Sequence, residues 1–305
     1  MRWIGDGFWW MTVLNQGAML FTIPIMILLG WAFIYPNRRI WLALLPALLV
    51  LGLLLGPYVM PYPAASRSQS DLRIMTYNVL YSNSRPDAIA AVIMSIDADL
   101  VLLQEVQPAM MQALVDRLAS RYPYSMLATE HPYGTTAAFS RWPVMEAHDL
   151  DLQADRHAVL LRVQMPKTML TVMAAHLLAF NIRYTPLVDW PATIDKRVKD
   201  QEGQVRILLQ RANDYPHDPL ILGCDCNSTE FANSARLLST TFRNVAHDIG
   251  WAVPPGPQPG SRADIRPNHI DYVWYRGALQ AHAAYVWNES GGSDHAPLVA
   301  EFTWK

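Results

Sequence analysis

The chain has 305 residues, 51 % of them hydrophobic and only 16 % charged, an apolar balance for a water-exposed globular body. Setting aside the four arginines and one aspartate before residue 71, the totals of 24 basic and 26 acidic residues become 20 against 25, so the remainder is net negative by five. That excludes a generally basic nucleic-acid-binding face, because Lys and Arg contacts to phosphate dominate such affinity, but it leaves room for a local basic cleft.

The apolar excess sits at the front. Residues 18–35 and 40–60 are two uncharged apolar runs, each near the ~20 residues a helix needs to cross ~30 Å of hydrocarbon. Joined by the turn Pro36-Asn37-Arg38-Arg39, they predict a two-span transmembrane hairpin. Pro24 and Pro46 fall inside the runs, where neighbouring membrane helices tolerate them. The aromatic start, with Arg2 and Asp6, lacks the basic opening of a signal peptide. Arg38 and Arg39 in the turn favour a cytoplasmic turn and outward-facing ends, making this an integral membrane protein with an extracytoplasmic domain. The expected division is therefore a hairpin over 1–60, a Pro- and Ser-containing linker over 61–70, and one globular domain over 71–305. The lipid bilayer is the expected partner, through residues 18–60, and no protein partner is expected.

In the globular part, residues 72–79 alternate as a strand. Ser84-Arg85-Pro86 then opens a helix with Ile89, Val92, Ile93 and Ile96 at helical spacing. Residues 100–105 read as a buried strand, and Pro108 opens a second helix with Met111, Leu114, Val115 and Leu118 inward. Strands then dominate, at 124–128, 135–140, 145–150, 158–164 and 168–176, separated by short turns. A long helix over 193–212 and a buried strand over 220–225 follow, and strands at 270–275, 279–287 and 298–304 finish the chain. Helices with mostly antiparallel strands fit two sheets packed face to face with helices outside. Cys224 and Cys226 lie two apart on one strand and share a face, where they are expected to pack in the core and not to bridge.

The chemistry gathers where strands end. Asn78, Glu105, His176, Asp225 and Asn227 each sit at or just past a strand's C-terminal end, so one sheet rim can bring them together. Glu105 is the first candidate for a hard-cation ligand, with Asn78 and Asp294 in support. Asp225 and Asn227 share a face and pair a base or water-orienting carboxylate with an amide donor. His295 suits acid or base duty near neutral pH, and Asp271 could fix its tautomer. His176 would be a second phosphate-facing donor. Singly, these residues also suit caps, solvated strand ends or a core histidine; the constellation carries the functional reading. No Gly-x-Ser-x-Gly elbow supports a seryl-hydrolase role for Ser293.

Taken in order, several motifs resemble the endonuclease/exonuclease/phosphatase superfamily, also called DNase I-like. They are Ile74-Met75-Thr76-Tyr77-Asn78-Val79, Asp99 through Val106, Gly134 with Phe139-Ser140-Arg141-Trp142-Pro143, Ala175-His176-Leu177, Asp225-Cys226-Asn227-Ser228, His269-Ile270-Asp271-Tyr272 and Ser293-Asp294-His295. The resemblance implies an α+β fold, a four-layer α/β/β/α sandwich, with a Mg²⁺ or Mn²⁺ ion and in-line attack of water on phosphorus. It implies that Glu105 holds the metal with Asn78 behind it, and that Asp225 orients or deprotonates water. Asn227 and His176 would contact the phosphate, while Asp271 and His295 would stabilise the pentavalent state or move a proton. Which of Asp225 and His295 is the base stays open, as does the substrate: a lipid headgroup or small phosphodiester, or DNA or RNA for an anchored nuclease. The loop over 177–191, rich in Leu, Phe, Tyr, Val and Trp, could rim a lipid-facing mouth, stack bases, or close over the core. A binding or scaffold protein that has lost activity is the non-enzymatic alternative; intact Glu105, Asp225, Asn227 and His295 speak against it.

Overall fold

The computed structural model describes residues 5–17, 22–59, 70–129, 135–182, 184–249 and 270–305. The first strands, in chain order, are β1 (Leu72–Asn78), β2 (Leu100–Val106), β3 (Tyr124–Leu127), β4 (Thr135–Ser140), β5 (Val144–Gln153) and β6 (Arg156–Gln164). They are followed by β7 (Met169–His176), β8 (Leu220–Asp225), β9 (Arg243–Asn244), β10 (Asp271–Arg276), β11 (Leu279–Val286) and β12 (Leu298–Trp304). One sheet has the order β11-β12-β1-β2-β4-β3, and the other β5-β6-β7-β8-β10-β9. The pairs β1/β2 and β7/β8 are parallel. The helices are α1 (Trp9–Gln16), α2 (Thr22–Ile34), α3 (Arg38–Val59), α4 (Pro86–Ile96), α5 (Pro108–Leu118), α6 (Trp190–Asn213), α7 (Asn233–Leu238) and α8 (Val245–Ile249).

Strand alternation sorts the side chains into three apolar layers. Leu72, Ile74, Leu100 and Leu102 of the first sheet meet Val159, Leu161, Val172, Ile221 and Val273 of the second. The opposite face of the first sheet, with Met75, Tyr77 and Leu103, packs on Ile89 and Ile93 of α4 and Leu114 of α5. The opposite face of the second sheet, with Leu160, Met173 and Leu222, packs on Val205 and Leu208 of α6 and Leu238 of α7. The result is the expected four-layer sandwich. The sheets approach closely at Gly223, where a Cβ would stand 2.7 Å from Leu102 Cδ1 and 2.9 Å from Thr76 Cβ.

Both parallel pairs need a crossover, supplied by α4 between β1 and β2 and by α6 between β7 and β8. Parallel strands end on the same rim, so Asn78, Glu105, His176 and Asp225 arrive together. Antiparallel β10 begins there, with Asp271 opposite Asp225. Residues 243–249 form β9 and α8, which lack an apolar periodicity long enough to be read from sequence.

Two expectations change. Cys224 and Cys226 are both buried and are joined as a disulfide; facing the same side of one strand end, they bridge each other, as the sequence reading did not expect. The front of the chain also differs. Among the described residues no helix is long and apolar enough to cross a membrane. Helix α2 has 13 residues, about 20 Å of rise against the ~30 Å required. Residues 18–21 and 60–69 lie outside the described residues, as do most α3 side chains beyond Leu49. Helices α2 and α3 pack together through Phe33 and Trp41, whose rings meet edge to face at 5.1 Å. Asn37 starts α3 by accepting from the Arg39 N–H through Oδ1 at 2.9 Å. Their outer surface is apolar: Met26, Ile27, Phe33, Ile34, Leu45 and Leu49 are all exposed. Residues 5–17 pack on α6 and α7.

Candidate active site

Asp225 is the hub. Buried at the end of β8, it accepts at Oδ2 from the Asn78 side-chain amide at 2.8 Å and at Oδ1 from the Asn227 backbone N–H at 3.1 Å. The imidazole Nε2 atoms of His176 and His295 stand 3.7 and 3.9 Å from its Oδ2. Burial pushes this carboxyl up, but the charge of His295, that of His176 when acid protonates it, and the two donors outweigh it and hold it below its ordinary value. Asp225 is therefore a carboxylate at neutral pH.

Glu105 approaches from the other sheet. Its Oε1 accepts from Asn78 Nδ2 at 3.0 Å and its Oε2 from the Tyr81 N–H at 2.9 Å. The residue has φ 57°, in the left-handed region, at a register irregularity between Leu103 and Val106. Such a conformation costs a non-glycine residue ~1–2 kcal/mol and persists where surrounding bonds fix it. Here it turns the carboxylate off the strand and onto the rim. Asn227 is likewise left-handed, at φ 48°, and its side chain donates to the Leu177 carbonyl at 3.0 Å.

His295 Nδ1 lies 2.8 Å from Asp271 Oδ2. Burial pulls the imidazole down, yet Asp271, through its charge and its bond, together with Asp225, pushes it up to about 10. His176 is pulled below its usual value by burial, despite Asp225 and Glu105. The two histidines are thus set apart: His295 is charged and His176 neutral at pH 7. Burial raises Asp271, against the pull of His295. Ser293 donates to the Asn78 carbonyl at 2.7 Å and accepts the His295 N–H at 3.0 Å, so its hydroxyl braces the two motifs and is no nucleophile.

Seven of the eight sequence-derived candidates, Asn78, Glu105, His176, Asp225, Asn227, Asp271 and His295, meet at this rim. Asp294 stands outside the described clusters close enough to share a cation directly. Among the described residues the groups able to share a cation are Glu105 with His176 and Asp225, and Asp225 with Asp271 and His295. Asp294 acts through its field, opposing ionisation of Tyr77 and favouring the charged His295. The donor set of carboxylates and one imidazole suits a hard divalent cation, and the buried Asp271 Oδ1 has no hydrogen-bond partner. Arg141, from the Ser-Arg-Trp-Pro motif, bonds Asp99 at 3.0 Å and also Asp97, a structural brace. Gly134 and His269 lie outside the described residues.

The sequence reading missed Arg156, at the start of β6. Burial pulls its guanidinium down while the charges of Glu105, Asp155 and Asp225 push it up, and its buried Nε has no partner. It follows three consecutive left-handed residues, Gln153, Ala154 and Asp155, which no local sequence signal announces.

The model of the Endonuclease/Exonuclease/phosphatase family matches residues 75–295. The chain belongs to this family. Its members hydrolyse phosphate esters, and the match spans every residue of the rim. Solved structures with the same fold include the family member from Bacteroides vulgatus, at 15 % identity and TM-score 0.63, covering 78 % of this chain and 100 % of that one. D. rerio TDP2 complexed with single strand DNA product shares 17 % identity, at TM-score 0.61 over 76 % of this chain and 98 % of its own. The human Nocturnin catalytic domain with bound sulfate anion shares 19 %, at TM-score 0.60 over 77 % and 94 %. No curated protein matches the chain.

Proposed function

We propose that this family member is a divalent-metal-dependent phosphodiesterase held at a membrane, acting on membrane-associated or small phosphodiesters. The observation that carries the chemistry is the convergence on Asp225: one depressed carboxylate meets Asn78, His176 and the Asp271–His295 pair within hydrogen-bonding or near-contact range. Glu105 would hold a Mg²⁺ or Mn²⁺ ion, with Asn78 bracing its carboxylate against that of Asp225. Such an ion, when bound, supplies Lewis-acid neutralisation of phosphate charge.

Asp225, ionised at neutral pH, accepts a proton from the attacking water as its oxygen bonds to phosphorus. His295, held as imidazolium by Asp271, donates to a phosphoryl or leaving oxygen as the P–O bond breaks. Neutral His176 and the Asn227 amide orient the phosphate. The same network favours the depressed carboxylate over the raised imidazole as the base.

Attachment to the bilayer is supported by the exposed apolar surface of α2 and α3. A helical hairpin returns the chain to its starting side, which agrees with α1 and the sandwich lying together. An extracytoplasmic sandwich is the orientation that Arg38 and Arg39 favour. The lipid lean has a second support in the loop after His176, where Tyr184, Leu187 and Val188 are 84 %, 74 % and 82 % exposed. A nuclease is the second reading; D. rerio TDP2 was captured with a single strand DNA product.

The test is hydrolysis of bis-p-nitrophenyl phosphate by the purified full chain in detergent. Turnover is expected with Mg²⁺ or Mn²⁺, to vanish in EDTA, and to fall by about two decades or more in Asp225→Asn. Parent rates in EDTA defeat the metal dependence, and an active Asp225→Asn moves the site elsewhere.

A further inference from the structure

Residues 5–17 make a buried polar interface with the sandwich. Asp6 and Asn15 are 7 % and 1 % exposed, and both are bonded to the loop that follows Asn227. Asp6 Oδ2 accepts the Asn233 N–H at 2.7 Å, and the Asp6 N–H donates to Asn233 Oδ1 at 3.1 Å. Asn15 Nδ2 donates to Asp6 Oδ1 at 3.0 Å and reaches the Phe231 carbonyl at 3.5 Å. The Thr229 hydroxyl donates to the Asn15 carbonyl at 3.0 Å. Buried polar groups are held in place by such bonds, since a donor or acceptor that loses its partner away from water is destabilising; only Asn15 Oδ1, of the Asp6 and Asn15 side-chain atoms, has none.

The loop needs this support. It leaves β8 at Asp225 and passes through left-handed Asn227 before α7 begins at Asn233. On one side, Gln201 of α6 donates to the Cys226 carbonyl at 3.1 Å. Further along, Glu202 of α6 accepts from Asn233 Nδ2 at 2.8 Å and His247 meets Glu230 at 2.6 Å, and the N-terminal segment adds its bonds to Thr229, Phe231 and Asn233. We propose that residues 5–17 are a positioning element of the active site: by clamping Thr229, Phe231 and Asn233 they fix the backbone from which Asn227 and its N–H reach the reacting phosphate and Asp225. Asp6 and Asn15 are positioning residues, remote from the substrate. The proposal rests on the reading that Asp225 and Asn227 serve phosphodiester hydrolysis. Because α2 begins at Thr22, the same segment links the outward apolar helices to the catalytic loop.

The experiment uses the full chain in detergent with bis-p-nitrophenyl phosphate. Asp6→Ala and Asn15→Ala are expected to lower kcat about tenfold with KM within about twofold, the size of effect a small misplacement of a catalytic group produces. Asp6→Asn keeps an acceptor for the Asn233 N–H and is expected to recover to within about threefold of the parent. Amide hydrogen exchange over residues 228–233 rises in the alanine variants, and if Asp6→Ala does not fold, Asn15→Ala and Asp6→Asn decide. Parent kcat in Asn15→Ala alongside an inactive Asp225→Asn overturns the clamp alone. An active Asp225→Asn overturns the site reading, and the clamp with it.

Discussion

Asn78 donates its side-chain amide to Asp225 Oδ2 at 2.8 Å, and through this bond the last residue of β1 in one sheet holds the last residue of β8 in the other. The same nitrogen reaches Glu105 Oε1 at 3.0 Å, so one amide keeps two carboxylates from drifting apart or collapsing into repulsion. Asn78→Ala is expected to lower turnover by about two decades, the scale of a lost preorganised donor. It should also raise the Mg²⁺ concentration for half-maximal rate. Turnover within about threefold of the parent in folded Asn78→Ala would strip Asn78 of this role.

The His295–Asp271 pair gives the metal-free protein an alkaline stability limb. His295 is raised to about 10 in the folded chain, above the ~6.5 of a free imidazole. Its stabilising contribution is therefore complete below about pH 6.5 and is lost as pH rises through about 10. Burial raises Asp271 as well, against the pull of His295, so the parent is compared with His295→Gln, which keeps that carboxyl. In chelator, the urea midpoint of the parent should fall more between pH 7 and pH 10.5 than that of His295→Gln. Equal falls would mean that His295 is not charged in the folded protein.

Arg156 lies in the fields of Glu105 and Asp225 with its Nε unpaired, which suits it to a phosphate oxygen. Arg156→Met is expected to lower kcat/KM by about tenfold to a hundredfold, and Arg156→Lys to restore it only in part, since an ammonium lacks the planar fork. Unchanged kcat/KM in Arg156→Met would make the residue structural.

The substrate question turns on the loop after His176. Leu187 and Val188 are exposed, and each aliphatic side chain gains about 1.5–3 kcal/mol when fully buried. Leu187→Ser with Val188→Ser should cut hydrolysis of lipid vesicles about tenfold or more while leaving bis-p-nitrophenyl phosphate turnover unchanged. Trp190 is less suited to that role, being partly buried with its Nε1–H bonded to the Thr185 carbonyl at 3.0 Å. Plasmid, RNA and mixed-lipid vesicles run side by side separate the readings. Salt-sensitive plasmid cleavage without headgroup release would replace the lipid reading with the nuclease one.

Strand ends made the rim legible in the sequence: Asn78, Glu105, His176 and Asp225 each close an apolar run, and the parallel pairs force such ends onto one side. Four layers followed from alternation in the strands and helical spacing around Ile89, Leu114 and Val205. Arg156 was not legible, because its placement depends on three left-handed residues that carry no glycine. The place of Asp294 was less legible: adjacency to His295 in the chain gives no information about where a side chain turns after Gly291 and Gly292, both at positive φ. The docking of residues 5–17 was hidden by distance, since Asp6 and Asn233 are 227 positions apart.

Gly223 sits two residues before Asp225, and Thr76, which its absent side chain would strike, sits two residues before Asn78. The bare backbone at that rung therefore works as a gauge block for the cleft one rung further on. Even a single methyl, in Gly223→Ala, would act as a wedge between the sheets. The first bond to open would be the one between Asn78 and Asp225, so a residue that touches no substrate sets how far apart the reacting groups stand.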